Sequence, residues 1–415
     1  MKSNTSYLLS LPLWVKNAAW SAFFLFGLLS PPSRADDLLH WMSNNSAMVP
    51  FIFSTESMGT TIGMAGVVKG VGQPQAALIG VGLISDKGSY ATYIGSSNYL
   101  LGDSFLVGGD FYSSEYKSYS YYLGDQGSSN SSGDDFTLAD GKEDQLRLSV
   151  RYILPFGFAK DGSAKSSLNQ RRPVTGWNPV ESGVSTIELQ PFYKSRDLGS
   201  SQPSHEATET WGTQLLFDWD NRNDLRNPTH GAHSTLTFSY APEQGEESQW
   251  WTWEFAQSAF YDLGSLGDLF DQQVLAFNFY TADTPSWDSN SYDGRPPEYA
   301  GINLGGLYRL RSFQSGRFHD RSAIAYSLEY RVMPDWQPLE EMPIIGFYDM
   351  PWWQWVLFTD LGQVSDNYNL TALHEEMSWS AGAAIRFQVE GVVVRTELAW
   401  GNEGDEFRVM INQPF

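Results

Sequence analysis

From residue 48 onward the chain alternates apolar and polar side chains with a period of two, in runs broken by Gly, Asn, Asp and Ser clusters. This is the pattern of half-buried β-strands. The last four runs show it best. Over 353–361, Trp353, Trp355 and Leu357 share one face, and Gln354, Val356, Phe358 and Asp360 the other. Over 379–388, Trp379, Ala381, Ala383, Ile385 and Phe387 oppose Arg386 and Gln388. Over 392–400, Val392, Val394, Leu398 and Trp400 oppose Arg395 and Glu397. In the last run, Phe407, Val409, Ile411 and Phe415 oppose Arg408 and Asn412. A soluble sandwich gives the same alternation, and alternation by itself favours the sandwich. Arginines and acids recurring on the polar face, against a broad aromatic face, suit lipid outside and a wet lumen inside.

The chain yields sixteen such strands. They lie near 50–57, 60–70, 75–85, 90–97, 104–112, 143–154, 184–193 and 210–219 in the first half. The second half adds 231–240, 250–261, 272–281, 322–333, 352–361, 378–388, 391–400 and 405–415. An even count is what a single-chain bacterial barrel requires. With both termini periplasmic, connections after odd strands face outward, and they include the long stretches 113–142, 241–249, 282–321 and 363–377. Connections after even strands include the tight 70–74, 227–231 and the turn at Gly391. Long outside and short inside is the expected asymmetry. Two connections on the short side, 155–183 and 334–351, are long: either the strand count slips there or those segments fold as plugs or turns of their own. The fold class expected is all-β, a transmembrane antiparallel barrel of about sixteen strands.

Composition agrees with this picture. The mean hydropathy of −0.33 suits a barrel, in which only every second residue meets lipid. The 16 Trp and 21 Tyr suit aromatic girdles at the two membrane interfaces, and Trp250-Trp251 and Trp352-Trp353 read as parts of them. Residues 1–35 read as a signal peptide: Lys2 and Lys16 supply charge, 18–29 an apolar run, and Ser33-Arg34-Ala35 small residues before the cut. Residues 36–48 then form a short periplasmic lead-in and 49–415 the barrel. No later segment approaches the roughly 20 apolar residues of a membrane helix. A cysteine-free chain avoids accidental disulfides in an oxidising compartment. The net charge of −22 argues against nucleic acid as a partner.

One segment stands out chemically. Tyr299-Ala-Gly-Ile-Asn-Leu-Gly-Gly-Leu-Tyr-Arg-Leu-Arg-Ser-Phe313 bears glycines and, running on to residue 321, carries Arg309, Arg311, Arg317 and Arg321 in a strongly acidic protein. It resembles the sixth loop of the bacterial surface antigen superfamily of outer-membrane assembly barrels, the BamA/TamA superfamily. That family carries Val-Arg-Gly-Phe/Tyr near the tip of a loop folded back into the lumen. Here Leu310-Arg311-Ser312-Phe313 stands in its place, with Ser312 where the family has Gly. Phe358-Thr359-Asp360-Leu361-Gly362 resembles the family's Phe-x-Asp-x-Gly strand, and Glu329 lies on a lumen face of the strand Ser327-Leu328-Glu329-Tyr330-Arg331. Asp220-Asn221-Arg222-Asn223 and Asn227-Pro228-Thr229-His230-Gly231 resemble its Asp-x-Arg-Asp and Pro-Thr-x-Gly turn. The ending resembles its terminal strand.

A guanidinium in a lumen invites a bidentate carboxylate. The resemblance implies that Arg311 pairs with Asp360, and also with Glu329, locking the loop beside Phe313, Phe358 and Gly362. It implies that Phe407, Val409, Ile411 and the terminal aromatic Phe415 form the strand that the barrel-assembly machinery recognises during biogenesis. It further implies an outer-membrane location, contact with outer-membrane lipids, and assistance to client proteins that are inserted or translocated. The alternative is a structural surface antigen or passive pore that shares the fold without the activity. Members of the family usually carry periplasmic polypeptide-transport-associated domains before the barrel. The dozen or so residues between 36 and the first strand fall below the roughly 50 a small domain needs, so the expectation is a barrel alone.

Other chemistry finds no support. His230 and His233 are the only histidine pair with metal-ligand spacing, and they sit at an expected turn, so no metal or other cofactor is expected. No Gly-x-Ser-x-Gly elbow occurs, and an enzyme is not expected.

Overall fold

The computed structural model describes residues 46–55, 58–160, 164–245, 247–267, 269–338, 350–389, 391–411 and 413–415. The expected signal peptide, most of the lead-in and residues 339–349 of the 334–351 connection lie outside them.

The period-two runs become strands in the expected order. They are β1 (Ser46–Thr55), β2 (Gly59–Lys69), β3 (Ala77–Ser85), β4 (Tyr90–Leu101), β5 (Phe105–Tyr121) and β6 (Thr137–Ile153). Next come β7 (Val184–Asp197), β8 (Glu209–Asp220), β9 (Gly231–Ala241), β10 (Trp250–Asp262), β11 (Phe270–Asp283), β12 (Asn303–Leu304) and β13 (Phe318–His319). The last are β14 (Ser322–Pro334), β15 (Trp353–Ser365), β16 (Ser378–Val389), β17 (Val392–Gly401) and β18 (Asp405–Ile411). β1 to β11 and β14 to β18 form one sheet of 16 strands in sequence order. β12 and β13 pair only with each other, within the sixth outward connection. β1 and β18, the two ends of the sheet, lie against each other, and the sheet is a barrel.

Lipid and lumen make opposite demands on successive residues, and burial follows them. On β15, Gln354, Val356, Phe358 and Asp360 are buried, while Leu357 and Leu361 are exposed on the outer wall. Ile385, Leu398, Trp400 and Phe407 continue that apolar outer surface. Each Trp pair is split by the same rule: Trp251 faces out, whereas Trp250 is buried against Phe192 and Ala241. Trp352 turns inward as well and donates from Nε1 to Gln388 Oε1 at 3.1 Å. Only one ring of each pair is therefore free to join an outer girdle.

The alternation is departed from in three main places, and one long connection folds as one of its two expectations had it. β1 begins at Ser46, inside the stretch read as a lead-in. β5 and β6 extend far into the 113–142 stretch read as a loop, pairing out to Tyr121↔Thr137. Their outer parts are polar on both faces, so no apolar stripe marks them. The 154–183 connection folds as a turn of its own. Its Ala159 and Ala164 pack on the inward Leu106, Ile153 and Val184, while Arg172 donates to the carbonyls of Ser167, Asn169 and Asp220. The segment thus covers the inner face at the short-turn end of β5 to β8.

The third difference is at the C-terminus. β18 stops at Ile411, and 413–415 leave the strand. Phe415, expected on the outer face with Phe407, packs inside against Phe260, Val274 and Ala276. Gln413 explains the turn: its Oε1 accepts from Arg386 Nη1 at 2.6 Å, and its Nε2 donates to the Arg226 carbonyl at 2.9 Å. The side chain of Ile411 and all of Asn412 lie outside the described residues.

The outer face near the middle of β15 gives a direct check. Leu357→Arg should cost about 2–4 kcal/mol of unfolding free energy in lipid vesicles, the depth-dependent penalty for a charge against lipid. A loss below about 0.5 kcal/mol, the ordinary effect of a neutral surface change, would contradict the assignment of that face.

Candidate functional site

The 284–321 connection returns into the barrel, and its tip is held in the lumen by charge. Arg311 is fully buried and uses its whole guanidinium. Its Nε donates to Asp360 Oδ2 at 2.9 Å, Nη2 to Asp360 Oδ1 at 2.8 Å and Nη1 to Glu329 Oε1 at 2.6 Å. Its backbone N–H also donates to Asp360 Oδ2 at 3.0 Å. The guanidinium lies 3.6 Å from the centroid of the Phe358 ring, a cation–π contact in a desolvated place. The loop and two strands, β14 and β15, thus meet at one side chain.

Glu329 is the hub. Besides Arg311 it accepts from Arg386 Nη1 at 2.9 Å and Nη2 at 2.7 Å, and from Arg331 Nε at 2.9 Å. Glu397 on β17 accepts from Arg395 Nη1 at 2.8 Å and lies 3.6 Å from Arg311. Arg311, Arg331, Arg386, Arg395, Glu329, Asp360 and Glu397 are each at most 2% exposed. Four cations therefore face three anions out of water. Such a cluster persists only when nearly every charge is paired and hydrogen-bonded.

The loop's irregular backbone needs partners too, because unpaired backbone groups are costly at membrane depth. The wall supplies them. Ser380 Oγ accepts from the Ser312 N–H at 3.0 Å and lies 2.8 Å from Ser312 Oγ. Arg395 Nη2 donates to the Leu307 carbonyl at 2.7 Å. Arg408 donates to the carbonyls of Gly306, Arg311 and Phe313 at 2.5, 2.9 and 2.6 Å.

Backbone conformation explains how Ser312 serves where a glycine was expected. The left-handed position of the tip is Leu310, with φ of 49°, and Ser312 is not among the positive-φ residues. The glycines that must be glycine lie earlier. Gly305 has φ of +98°, and a Cβ there would strike the Gln314 carbonyl. Phe313 is buried among Leu304, Leu310, Phe318 and Val364, and Gly362 leaves the space that Leu304 and Leu310 fill.

The structure therefore brings Arg311, Glu329, Asp360, Phe358, Phe313 and Gly362 together. It places Phe407 on the outer wall, Val409 half-buried on the same strand, and Phe415 inside the barrel. Sequence reading put Arg386, Arg395, Glu397 and Arg408 on the polar face but did not join them to Arg311. The signal was present in that face; the cross-strand partner was not.

A second cluster fastens the loop near its outer end. Arg196 Nη2 donates to Glu206 Oε1 at 2.9 Å, Glu206 Oε2 at 3.1 Å and Glu298 Oε2 at 2.9 Å. The Glu298 N–H donates to Glu206 Oε1 at 2.8 Å, and the Gly124 N–H to Glu298 Oε1 at 2.6 Å. Two outward connections share one guanidinium, and a third joins them through Glu298. Burial, with Glu298 adding to it and Arg196 opposing, pushes the Glu206 carboxyl up from 4.5 to about 7.

At the turn end, Arg222 and Asp220 form a bidentate pair, both bonds at 2.9 Å. Asn223 Oδ1 accepts from the N–H groups of Thr229 and His230 at 2.9 and 3.0 Å. Gly231, with φ of +97°, closes on the Asn221 carbonyl, where no Cβ fits. His233 lies 2.6 Å from Asp218, and no group of metal-ligating side chains occurs among the described residues.

A family model described as the Omp85 superfamily domain matches residues 75–415. No curated protein matches the chain. Among solved structures, BamA from Haemophilus ducreyi lacking POTRA domains 1–3 is similar. It shares 13% identity over 89% of this chain and 70% of that one, with a TM-score of 0.51. CdiB from Escherichia coli shares 12% identity over 88% of this chain and 61% of that one, with a TM-score of 0.52. CdiB from Acinetobacter baumannii shares 12% over 91% and 67%, with a TM-score of 0.50. At these identities the likeness is one of fold. The chain spans only 61% of the Escherichia coli structure's length.

Two outcomes test the site. Glu329→Gln leaves three arginines short of an anion and should cost about 3–5 kcal/mol, abolishing heat-modifiable gel migration at temperatures the unaltered barrel survives. Unchanged migration would contradict the hub. In the outer cluster, Glu206 in the folded chain still holds a proton that the unfolded chain has lost between pH 4.5 and about 7. Its contribution to stability is therefore full below 4.5 and falls as pH rises to about 7. Hydrogen-exchange protection factors for 199–208 should be higher at pH 5 than at pH 8, and Glu206→Gln should flatten that difference. Equal protection at both pH values in the unaltered chain would contradict it.

Proposed function

The chain belongs to the Omp85 superfamily, and from that premise we propose that it assists insertion or translocation of polypeptides at the outer membrane. Omp85 barrels are outer-membrane proteins of protein assembly and transport, and this chain is an outer-membrane β-barrel. The observation that carries the reading is the arginine-locked loop, which fixes β14, β15, β17 and β18 from within beside the junction of the sheet's two ends. β18 is seven residues long, against ten in β1 and β17. A short terminal strand makes a weaker seam. A strand edge freed at such a seam is a template for an extended polypeptide, whose main chain supplies affinity and whose alternate side chains supply selectivity. The client class that fits is an extended, period-two segment of another membrane or secreted protein. The terminal run Phe407, Val409, Ile411 and Phe415 acts during the chain's own biogenesis, as the segment the barrel-assembly machinery reads.

A passive pore fits less well. The loop tip lies in the lumen against β14 to β18, and residues 154–160 and 164–183 pack on the inner face at the short-turn end of β5 to β8. A polar pocket lined by Asp110, Ser149, Arg151, Glu188 and Gln190 remains between β4 and β7, and it is what such a reading would draw on.

The test is outer-membrane proteomics in a deletion strain complemented with the unaltered chain or with Arg311→Ala. Depletion of particular outer-membrane or secreted proteins is expected, restored by the first and not by the second. An unchanged protein profile with altered solute uptake would overturn the proposal in favour of the pore.

A further inference from the structure

The last strand carries a guanidinium that is paired only loosely with a carboxylate and bonds mainly to backbone. Arg408 lies 3.9 Å from Glu406, too far for a hydrogen bond, and spends its donors on three loop carbonyls, those of Gly306, Arg311 and Phe313. Those carbonyls bracket Arg311. The loop tip is in turn fixed to β14 and β15 through Glu329 and Asp360. A continuous chain of hydrogen bonds, buried at the tip and half-buried at Arg408, therefore runs from β15 and β14, through the loop tip, to β18. We infer that Arg408 is a positioning residue that makes the loop tip and β18 one mechanical unit, so that β18 is released only when the loop undocks. The inference deepens the proposed function, on which it rests for its significance, by naming what regulates the seam.

The geometry supports this over a merely packed arginine. A planar guanidinium reaches several acceptors at fixed angles from two nitrogens, whereas a lysine ammonium is a single rotating donor centre without that fork. Without Arg408, three carbonyls at membrane depth lose their donors, each a costly loss. The tip would then shift to find others, and β18 would be left with its ladder to β17, from Val394↔Ile411 to Trp400↔Asp405, its contact with β1 and its inward tail. Gln413 and Phe415 hold that tail from the same side, so the release concerns the outer half of the strand, where Arg408 sits.

The chain holds no cysteine, so spin labels can be placed without background. Two pairs of exposed outer-wall positions report on β18: Ile62 with Phe407 spans the seam, and Ile385 with Phe407 spans β16 to β18. In lipid nanodiscs the unaltered chain should give narrow distance distributions for both pairs. Arg408→Ala should broaden both and shift them to longer distances, and Arg408→Lys should fall between. Arg311→Ala should broaden both as well, and the double variant should match the more affected single variant rather than sum the two, because the residues act in series. Unchanged distributions in a folded Arg408→Ala barrel would overturn the inference, as would strictly additive effects. Broadening confined to the Ile62 pair would overturn it too, since that places the motion in β1. If Arg408→Ala does not fold, Arg408→Lys decides by the same criteria. No client is present, so the result stands apart from the proteomic test: intact coupling with no depleted client would sink the function alone.

Discussion

A carboxylate that must satisfy three arginines out of water constrains the whole C-terminal half of this barrel. Glu329 is fully buried and touches Arg311, Arg331 and Arg386. Two of these come from the wall, and one arrives only because a loop folds back from the far end of β11. Desolvating charges on this scale is expensive, and the attraction between them repays it only with close geometry. The docked loop is therefore part of the wall's own electrostatic balance. Asp360 shows the dependence most plainly: both oxygens of its carboxylate accept from Arg311, through side chain and backbone alike.

The other features follow from seating an irregular loop in a membrane barrel. The tip brings carbonyls without partners, so Arg395 and Arg408 turn inward to supply donors. It brings bulk, so Gly362 stays small opposite Leu304 and Leu310, and Gly382 leaves room for the Phe358 ring. Farther out, Arg317 binds Glu403 through two 2.6 Å hydrogen bonds and donates to the Gln126 and Ser131 carbonyls, joining the loop to its neighbours. These contacts place the sixth outward connection, β14 to β18 and the β5–β6 connection in one interior network.

How much of this could be read from the residues depends on which force leaves a periodic trace. Lipid against lumen does, and sixteen strands emerge in order. Where that contrast ends, so does legibility: the outer parts of β5 and β6, polar on both faces, look like loop. Phe415 continues the alternation of Phe407 and Val409, yet Gln413 finds Arg386 and Arg226, and the tail turns inward. Alternation also assigns a face without naming a neighbour. Arg386 and Arg395 could be placed in the lumen, but their meeting with Glu329 and Glu397 depends on strand register, which turn lengths and bulges decide. The Arg311 to Asp360 contact was suggested by a shared motif, not by any periodicity.

The central claim is that the loop tip belongs to the folded wall. Hydrogen exchange on the barrel in nanodiscs reads it most directly, comparing the amides of 304–313 with those of β14 and of 284–298. The account predicts that 304–313 exchange as slowly as β14, because the Arg311 and Ser312 amides are donated to Asp360 and Ser380 in a buried place. Exchange of 304–313 at the rate of 284–298 would contradict it.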